Sequence, residues 1–181
     1  MNAAAPAAWQ EEVFAVLKRG GIRQVPYVPD AGHAHVIRRV HADPDMRGIV
    51  LTTEEEGVAV ACGAWLGGER AALLMQSSGV GNCVNMFSLV ANGRFPFLTL
   101  VTMRGEWAEF NGWQVPMGKA TPAVLRDIGI SVLRVDRPEE AAETVAAGLD
   151  AAFGGGEAVA VLLSQRLIGR KQWDAKSGEA R

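Results

Sequence analysis

"GIVLTTEEEGVAVACGAWLGGERAALLMQ", residues 48–76, decides the fold class. Its two ends, "GIVLT" and "AALLMQ", are unbroken apolar runs rather than alternating ones. That is the pattern of strands buried on both faces of a parallel sheet. Between them, "EEEGVAVACGAWLGG" is long enough for a helix, and it opens on acids that a positive helix N-terminus favours. Strand, helix and strand in this order make a parallel crossover unit.

The same alternation continues on either side. Upstream, Trp9, Val13, Val16 and Leu17 recur at helical spacing before "RGG", which predicts a helix over about residues 7–19. "QVPYVP" follows as a strand, then "DAGHAHVIRRVHA" as a helix opened by Asp30. Downstream, "VGNCVNMFSLVANG" is a helix and "PFLTLVTM" a strand, followed by a loop rich in Trp, Gly and Pro. "PAVLRDIG" reads as a helix, "SVLRV" as a strand, and "PEEAAETVAAGLDAAF" as a helix with Pro in its first turn. "AVAVLLS" is the last strand. The expected fold is α/β and doubly wound: a mainly parallel six-stranded sheet with helices on both faces. One domain is expected over residues 1–168, with a polar tail, "GRKQWDAKSGEAR", over 169–181.

Composition narrows the function. A formal charge of -2 supplies no basic stripe, so a nucleic-acid surface is not expected. No apolar run reaches the length of a membrane span, and "MNAAAPAA" lacks the basic start of a signal peptide. Cys62 and Cys83 lie in apolar context and suggest a reducing, cytoplasmic setting rather than a disulfide framework.

In a doubly wound sheet, ligands bind beyond the carboxyl ends of the strands, so chemistry is sought on the strand-to-helix loops. Glu54, Glu55 and Glu56 open one helix, and acids there can serve the helix dipole alone. The same helix is slim, built on Gly57, Ala59, Ala61, Gly63 and Ala64, so a backbone or a flat ring could approach it. An acid held against such a surface loses its water, which suits it to sharing a proton. "MQSSGVGNCVN", residues 75–85, is either an ordinary strand-to-helix turn or a glycine-lined ligand surface. "MRGEWAEFNGWQVPMG", residues 103–118, carries Arg104, Glu106, Trp107, Glu109, Trp113 and Gln114. A loop of that length is usually functional, as an anion clamp through Arg104 or as a subunit interface. His33, His35 and His41 lack the spacing of a closed metal site, and no metal ligand is assigned.

Taken in order, "TTEEEGVAVACGAWLGG", "LLMQSSGVGNCVN" and "RGEWAEFNGWQVPMGKAT" resemble the pyrimidine-binding domain of thiamine-diphosphate-dependent 2-oxo acid decarboxylases. The likeness is to the sulfopyruvate decarboxylase alpha subunits and the equivalent half of the phosphonopyruvate decarboxylases. It runs from about Trp9 to Ser164, with "VPD" at 28–30 fitting the family's first loop. It implies that one glutamate hydrogen-bonds N1′ of the cofactor's aminopyrimidine and so activates the cofactor for attack on a 2-oxo acid. The family places that glutamate nine positions before the glycine of the slim helix, which selects Glu54 from Gly63 and leaves Glu55 and Glu56 to the dipole. By the same resemblance Ser78, Gly79 and Asn82 lie at the cofactor, and Asp30, His33, Arg104 and Gln114 on the substrate side.

The family's Mg²⁺ and diphosphate site is a Gly-Asp-Gly followed by Asn, and this chain contains no Gly-Asp-Gly. The resemblance therefore implies half an enzyme. A beta subunit would bring the diphosphate and the Mg²⁺, in a hetero-oligomer with two or more copies of each chain. The expected reaction is decarboxylation of a small anionic 2-oxo acid of the sulfopyruvate or phosphonopyruvate class. The alternatives are a carboligase subunit, a non-catalytic binding or regulatory module, and a flavodoxin-like binder. "PDAGHAH" and "QSSG" depart from the family's usual first and second loops, at His33 and Ser77, so sulfopyruvate and phosphonopyruvate stand as options beside a different 2-oxo acid.

Overall fold

A computed structural model describes residues 8–170; residues 1–7 and 171–181, and with them most of the expected polar tail, lie outside the described residues. The strands are β1 (Ile22–Tyr27), β2 (Arg47–Val50), β3 (Arg70–Ala71), β4 (Leu73–Gln76), β5 (Phe97–Thr102), β6 (Ser131–Val135) and β7 (Ala158–Leu163). The helices are α1 (Ala8–Arg19), α2 (Ala34–Ala42), α3 (Glu54–Leu66), α4 (Ser77–Cys83), α5 (Phe87–Gly93), α6 (Val115–Asp127), α7 (Ala141–Leu149) and α8 (Gln165–Ile168).

The sheet runs β2-β1-β4-β5-β7-β6, and every pairing in it is parallel. The seventh segment, β3, is the first part of the β4 strand. Both lie along the same edge of β1, interrupted at Ala72, whose N–H still bonds Gln24 O. The six expected strands are therefore all present.

Burial explains the layers. β5 is buried at all six positions and β4 at three of four, so both faces of the central sheet need covers. One cover packs Trp9, Val13 and Leu17 of α1 with Val36 and Val40 of α2 and Val145 and Leu149 of α7. The other packs Val58, Ala61 and Cys62 of α3 with Val80 and Cys83 of α4, Phe87 and Val90 of α5, and Leu125 of α6. No helix among the described residues is long and apolar enough to cross a membrane.

Three helix boundaries differ from expectation. Asp30 does not open α2, which starts at Ala34, because its carboxylate is used elsewhere. The helix expected over 80–93 is two helices, and the first starts at Ser77, directly on the end of β4. The helix expected from Pro122 begins at Val115, with Pro116 in its first turn and Pro122 inside it.

Candidate active site

The carboxyl ends of β1, β4 and β5 meet at Asp30. Its Oδ2 accepts from Thr102 Oγ1 at 2.7 Å and Gly32 N at 2.9 Å, and its Oδ1 accepts from Gln76 Nε2 at 3.1 Å. Gln76 passes the chain of bonds on, accepting from Ser78 Oγ at 2.9 Å. One carboxylate thus ties three strand ends to the first turn of α4.

The three acids of α3 separate by direction. Glu55 and Glu56 are exposed, and Glu56 accepts from Thr52 N at 2.9 Å, closing the helix start. Glu54 is turned inward and only 8% exposed. Its Oε2 accepts from Asn82 Nδ2 at 2.8 Å, and its Oε1 has no hydrogen-bond partner among the described residues. Gly79 makes room for it: a Cβ there would lie 2.5 Å from Glu54 Cγ and Cδ and 2.6 Å from Oε1. The cradle brings together Glu54, Gly79 and Asn82, with Ser78 on the Asp30 relay beside it.

The three histidines go to three different places. His35 meets Glu11 and His41 meets Tyr27. His33 is 1% exposed and turned into the sheet, where its Nε2 lies 3.2 Å from Met75 O and 3.1 Å from Leu100 O. Two carbonyl acceptors require that Nε2 carries the proton. Burial pushes this imidazole below its ordinary value, against the opposing pull of Asp30, so it sits neutral. Expected on the substrate side, His33 instead lies in the interior, because both carbonyls it satisfies face inward. Ser77, the other departure, is fully buried and accepts from Arg104 N at 3.1 Å. Both side chains are engaged with backbone inside the fold.

Arg104 also departs from expectation. Its fork does not stand open to an anion: Nε and one terminal nitrogen each reach Glu109 at 2.6 Å. Burial works to raise the Glu109 carboxyl, but the Arg104 hydrogen bonds, the Asn111 and Gly105 amides and the Arg104 charge outweigh it and hold it down to about 2. A carboxyl held lower in the folded than in the unfolded chain stabilises the fold fully above its ordinary value of 4.5, and that contribution fades as pH falls toward 2. The pair is buried, so the contribution is on the order of 3 kcal/mol. Urea unfolding of wild type and Glu109→Gln should therefore show a wide stability gap at neutral pH. The gap should narrow steadily below about pH 4.5.

Gln114 sits where the loop after β5 enters α6. Its Oε1 is buried with no hydrogen-bond partner, the one such side-chain atom among the described residues. Leaving a buried acceptor unmade costs about 1–3 kcal/mol, which a donor on a ligand would recover. Sequence reasoning singled out neither Thr102 nor Gln165, and quoted Gln76 only within its motif, since a glutamine or threonine at a strand end has no local signature. Glu109 was noticed in the loop but not as the partner of Arg104.

No family model matches this chain. It is 40% identical over 154 residues to sulfopyruvate decarboxylase subunit alpha of Methanothermobacter thermautotrophicus, which covers 84% of this chain and 93% of that one. The chain belongs to the sulfopyruvate decarboxylase alpha-subunit family. The corresponding subunit of Methanococcus maripaludis is 35% identical over 84% of this chain and 92% of its own length. Phosphonopyruvate decarboxylase of Streptomyces viridochromogenes is 40% identical over 90 residues, 49% of this chain but only 23% of that protein. The solved 2-oxoglutarate:ferredoxin oxidoreductase of Magnetococcus marinus shares the fold, with a TM-score of 0.73 at 17% identity over 93% of this chain and 34% of that one. The family is one of two-subunit, thiamine-diphosphate-dependent decarboxylases, so this alpha-type chain implies a beta partner.

Proposed function

We propose that this chain is the alpha subunit of a cytoplasmic decarboxylase acting on a small anionic 2-oxo acid of the sulfopyruvate or phosphonopyruvate class. Within it, Glu54 would hydrogen-bond N1′ of the thiamine diphosphate aminopyrimidine. The observation that carries the reading is the Glu54 cradle: an inward carboxylate, one oxygen fixed by Asn82 and the other free, against a position with no side chain. A flat ring nitrogen fits there, and the orphaned Gln114 Oε1 offers an acceptor at the same edge of the sheet.

Thiamine diphosphate, when bound, supplies a nucleophilic ring carbon and a sink for the electrons released with carbon dioxide. The chain's own residues do the rest. Glu54 would hold or give up a proton at N1′, and Asn82 fixes one of its two oxygens. Gly79 leaves the space that the Glu54 carboxylate occupies, and the Asp30–Gln76–Ser78 bonds hold the strand ends beside it. Asp30 and Gln114 remain the residues proposed to face substrate. Diphosphate and Mg²⁺ are assigned to a beta subunit, because no Gly-Asp-Gly occurs in this sequence. The assembly is proposed to hold two or more copies of each chain.

The test is co-expression with the partner and measurement of carbon dioxide release over a panel of 2-oxo acids, with and without an added aldehyde. Release with a free aldehyde product supports decarboxylation; a new carbon–carbon bond would make the chain a carboligase subunit. The isolated chain should release no carbon dioxide and bind thiamine diphosphate weakly. Tight, Mg²⁺-dependent binding by this chain alone in calorimetry would overturn the half-enzyme reading.

A further inference from the structure

We infer that Glu109 and Gln165 are positioning residues: they latch segment 104–114 into a fixed wall at the carboxyl edge of the sheet and so hold Gln114 in place. The inference deepens the decarboxylase reading and rests on it for turnover, though not for the latch itself.

The Glu109 carboxylate accepts five hydrogen bonds. Two come from Arg104 at 2.6 Å, and the others from Gly105 N at 3.2 Å, Asn111 N at 3.0 Å and Gln165 Nε2 at 2.9 Å. Side chains of Arg104 and Glu109 are only 8% and 4% exposed, so the pair is shielded from water. Gln165, at the start of α8 beyond β7, adds the other half. Its Oε1 accepts from Glu106 N and Trp107 N, each at 3.0 Å. One glutamine thus grips both the acid and two amides of the same segment. Glu106 reaches outward to Arg134 of β6, and Arg104 N is held by Ser77 at the start of α4.

The ends of the segment close on each other. Gly105 has φ +75°, and a Cβ there would lie 2.4 Å from Gln114 O; a Cβ on Gly118 would lie 1.9 Å from Arg104 O. Backbone therefore rests on backbone where Gln114 enters α6. Long surface loops are ordinarily the mobile part of a fold. This one spends a buried ion pair and a buried glutamine on being still. A wall of this stiffness suits the residue at its end, whose buried Oε1 has no hydrogen-bond partner among the described residues. A freer loop would turn that oxygen to water.

The experiment compares wild type, Gln165→Leu and Glu109→Ala in the enzyme assembled with its partner. It reads amide hydrogen exchange over residues 104–118 together with kcat and KM. Gln165→Leu should speed exchange at Glu106 and Trp107 by about tenfold or more, with β5 and β7 unchanged. Misplacing the wall should lower kcat by about tenfold or more while KM moves by less than about twofold. Glu109→Ala should do both more strongly, and added formate, which can refill the vacated donors, should restore part of each. If Glu109→Ala does not fold, Gln165→Leu carries the test alone, since it orphans no charge. Faster exchange with wild-type kcat would sink the positioning role. A rise in KM alone would return Arg104 to the substrate, and unchanged exchange would mean there is no latch. A wild-type assembly without turnover is a failure of the decarboxylase reading instead, and the exchange result still decides the latch.

Discussion

Glu54→Gln is expected to lower kcat of the assembled enzyme by about 10²–10⁴-fold while leaving folding and assembly intact. Glutamine keeps the shape of the side chain and can still bond Asn82. It cannot exchange a proton with a ring nitrogen. The neighbouring acids are the internal control. Glu55 and Glu56 are exposed, so changing either to Gln should cost only about 0.3–1 kcal/mol of stability and little turnover. Glu56→Gln also keeps an oxygen for Thr52 N. Proton exchange at the thiazolium carbon, followed by NMR in the complex, isolates the step from substrate binding. Wild-type exchange in Glu54→Gln with loss in Glu55→Gln would mean the catalytic acid is misassigned.

Gly79→Ala should be nearly as damaging to activity, and for a steric reason. The new methyl would sit within 2.6 Å of three Glu54 atoms, so the carboxylate must swing away. Because the obstructed group is the end of a flexible side chain, the fold can accommodate the change for about 1–3 kcal/mol. Catalytic geometry cannot, since misplacement of about 1 Å can cost about 10²-fold in rate. The expected result is a folded, assembling variant with turnover near that of Glu54→Gln. A Gly79→Ala enzyme with wild-type kcat would show that turnover does not need the Glu54 carboxylate at this position.

Much of the fold was legible because buried parallel strands leave unbroken apolar runs. "LLMQ" and "FLTLVT" could hardly be anything else, and they form the centre of the sheet. Helix boundaries were less legible where a tertiary bond overrides a local signal. Asp30 looks like a helix cap, yet its carboxylate bonds Gln76 and Thr102 across two other strands. "SSGVG" looks like a turn, yet it is helical, its glycine serving contact with Glu54 rather than a bend. The small residues of α3 do not share one face. Gly57 lies against Leu73 and Leu51, while Gly63 faces outward with nothing near it. At the site, three acids in a row could be divided only by the family's spacing. The structure turns Glu54 in and its neighbours out. At Arg104, a guanidinium near a strand end says nothing of the carboxylate five residues later that its fork reaches. Gln165 is 59 residues from the amide it holds, beyond the reach of any local pattern.

The junction between β4 and α4 has no loop: Gln76 ends the strand and Ser77 begins the helix. Helical phase therefore starts counting at a fixed point of the sheet. One residue inserted at that junction would turn everything after it by about 100° and lift it by about 1.5 Å. Gly79 would rotate off the Glu54 carboxylate and Asn82 off its oxygen, without any residue of the cradle having been altered. The junction is thus constrained in length as well as in side chain. Tolerance of insertions belongs at the opposite rim of the sheet, in the turns around Gly67–Glu69 and Gly154–Glu157.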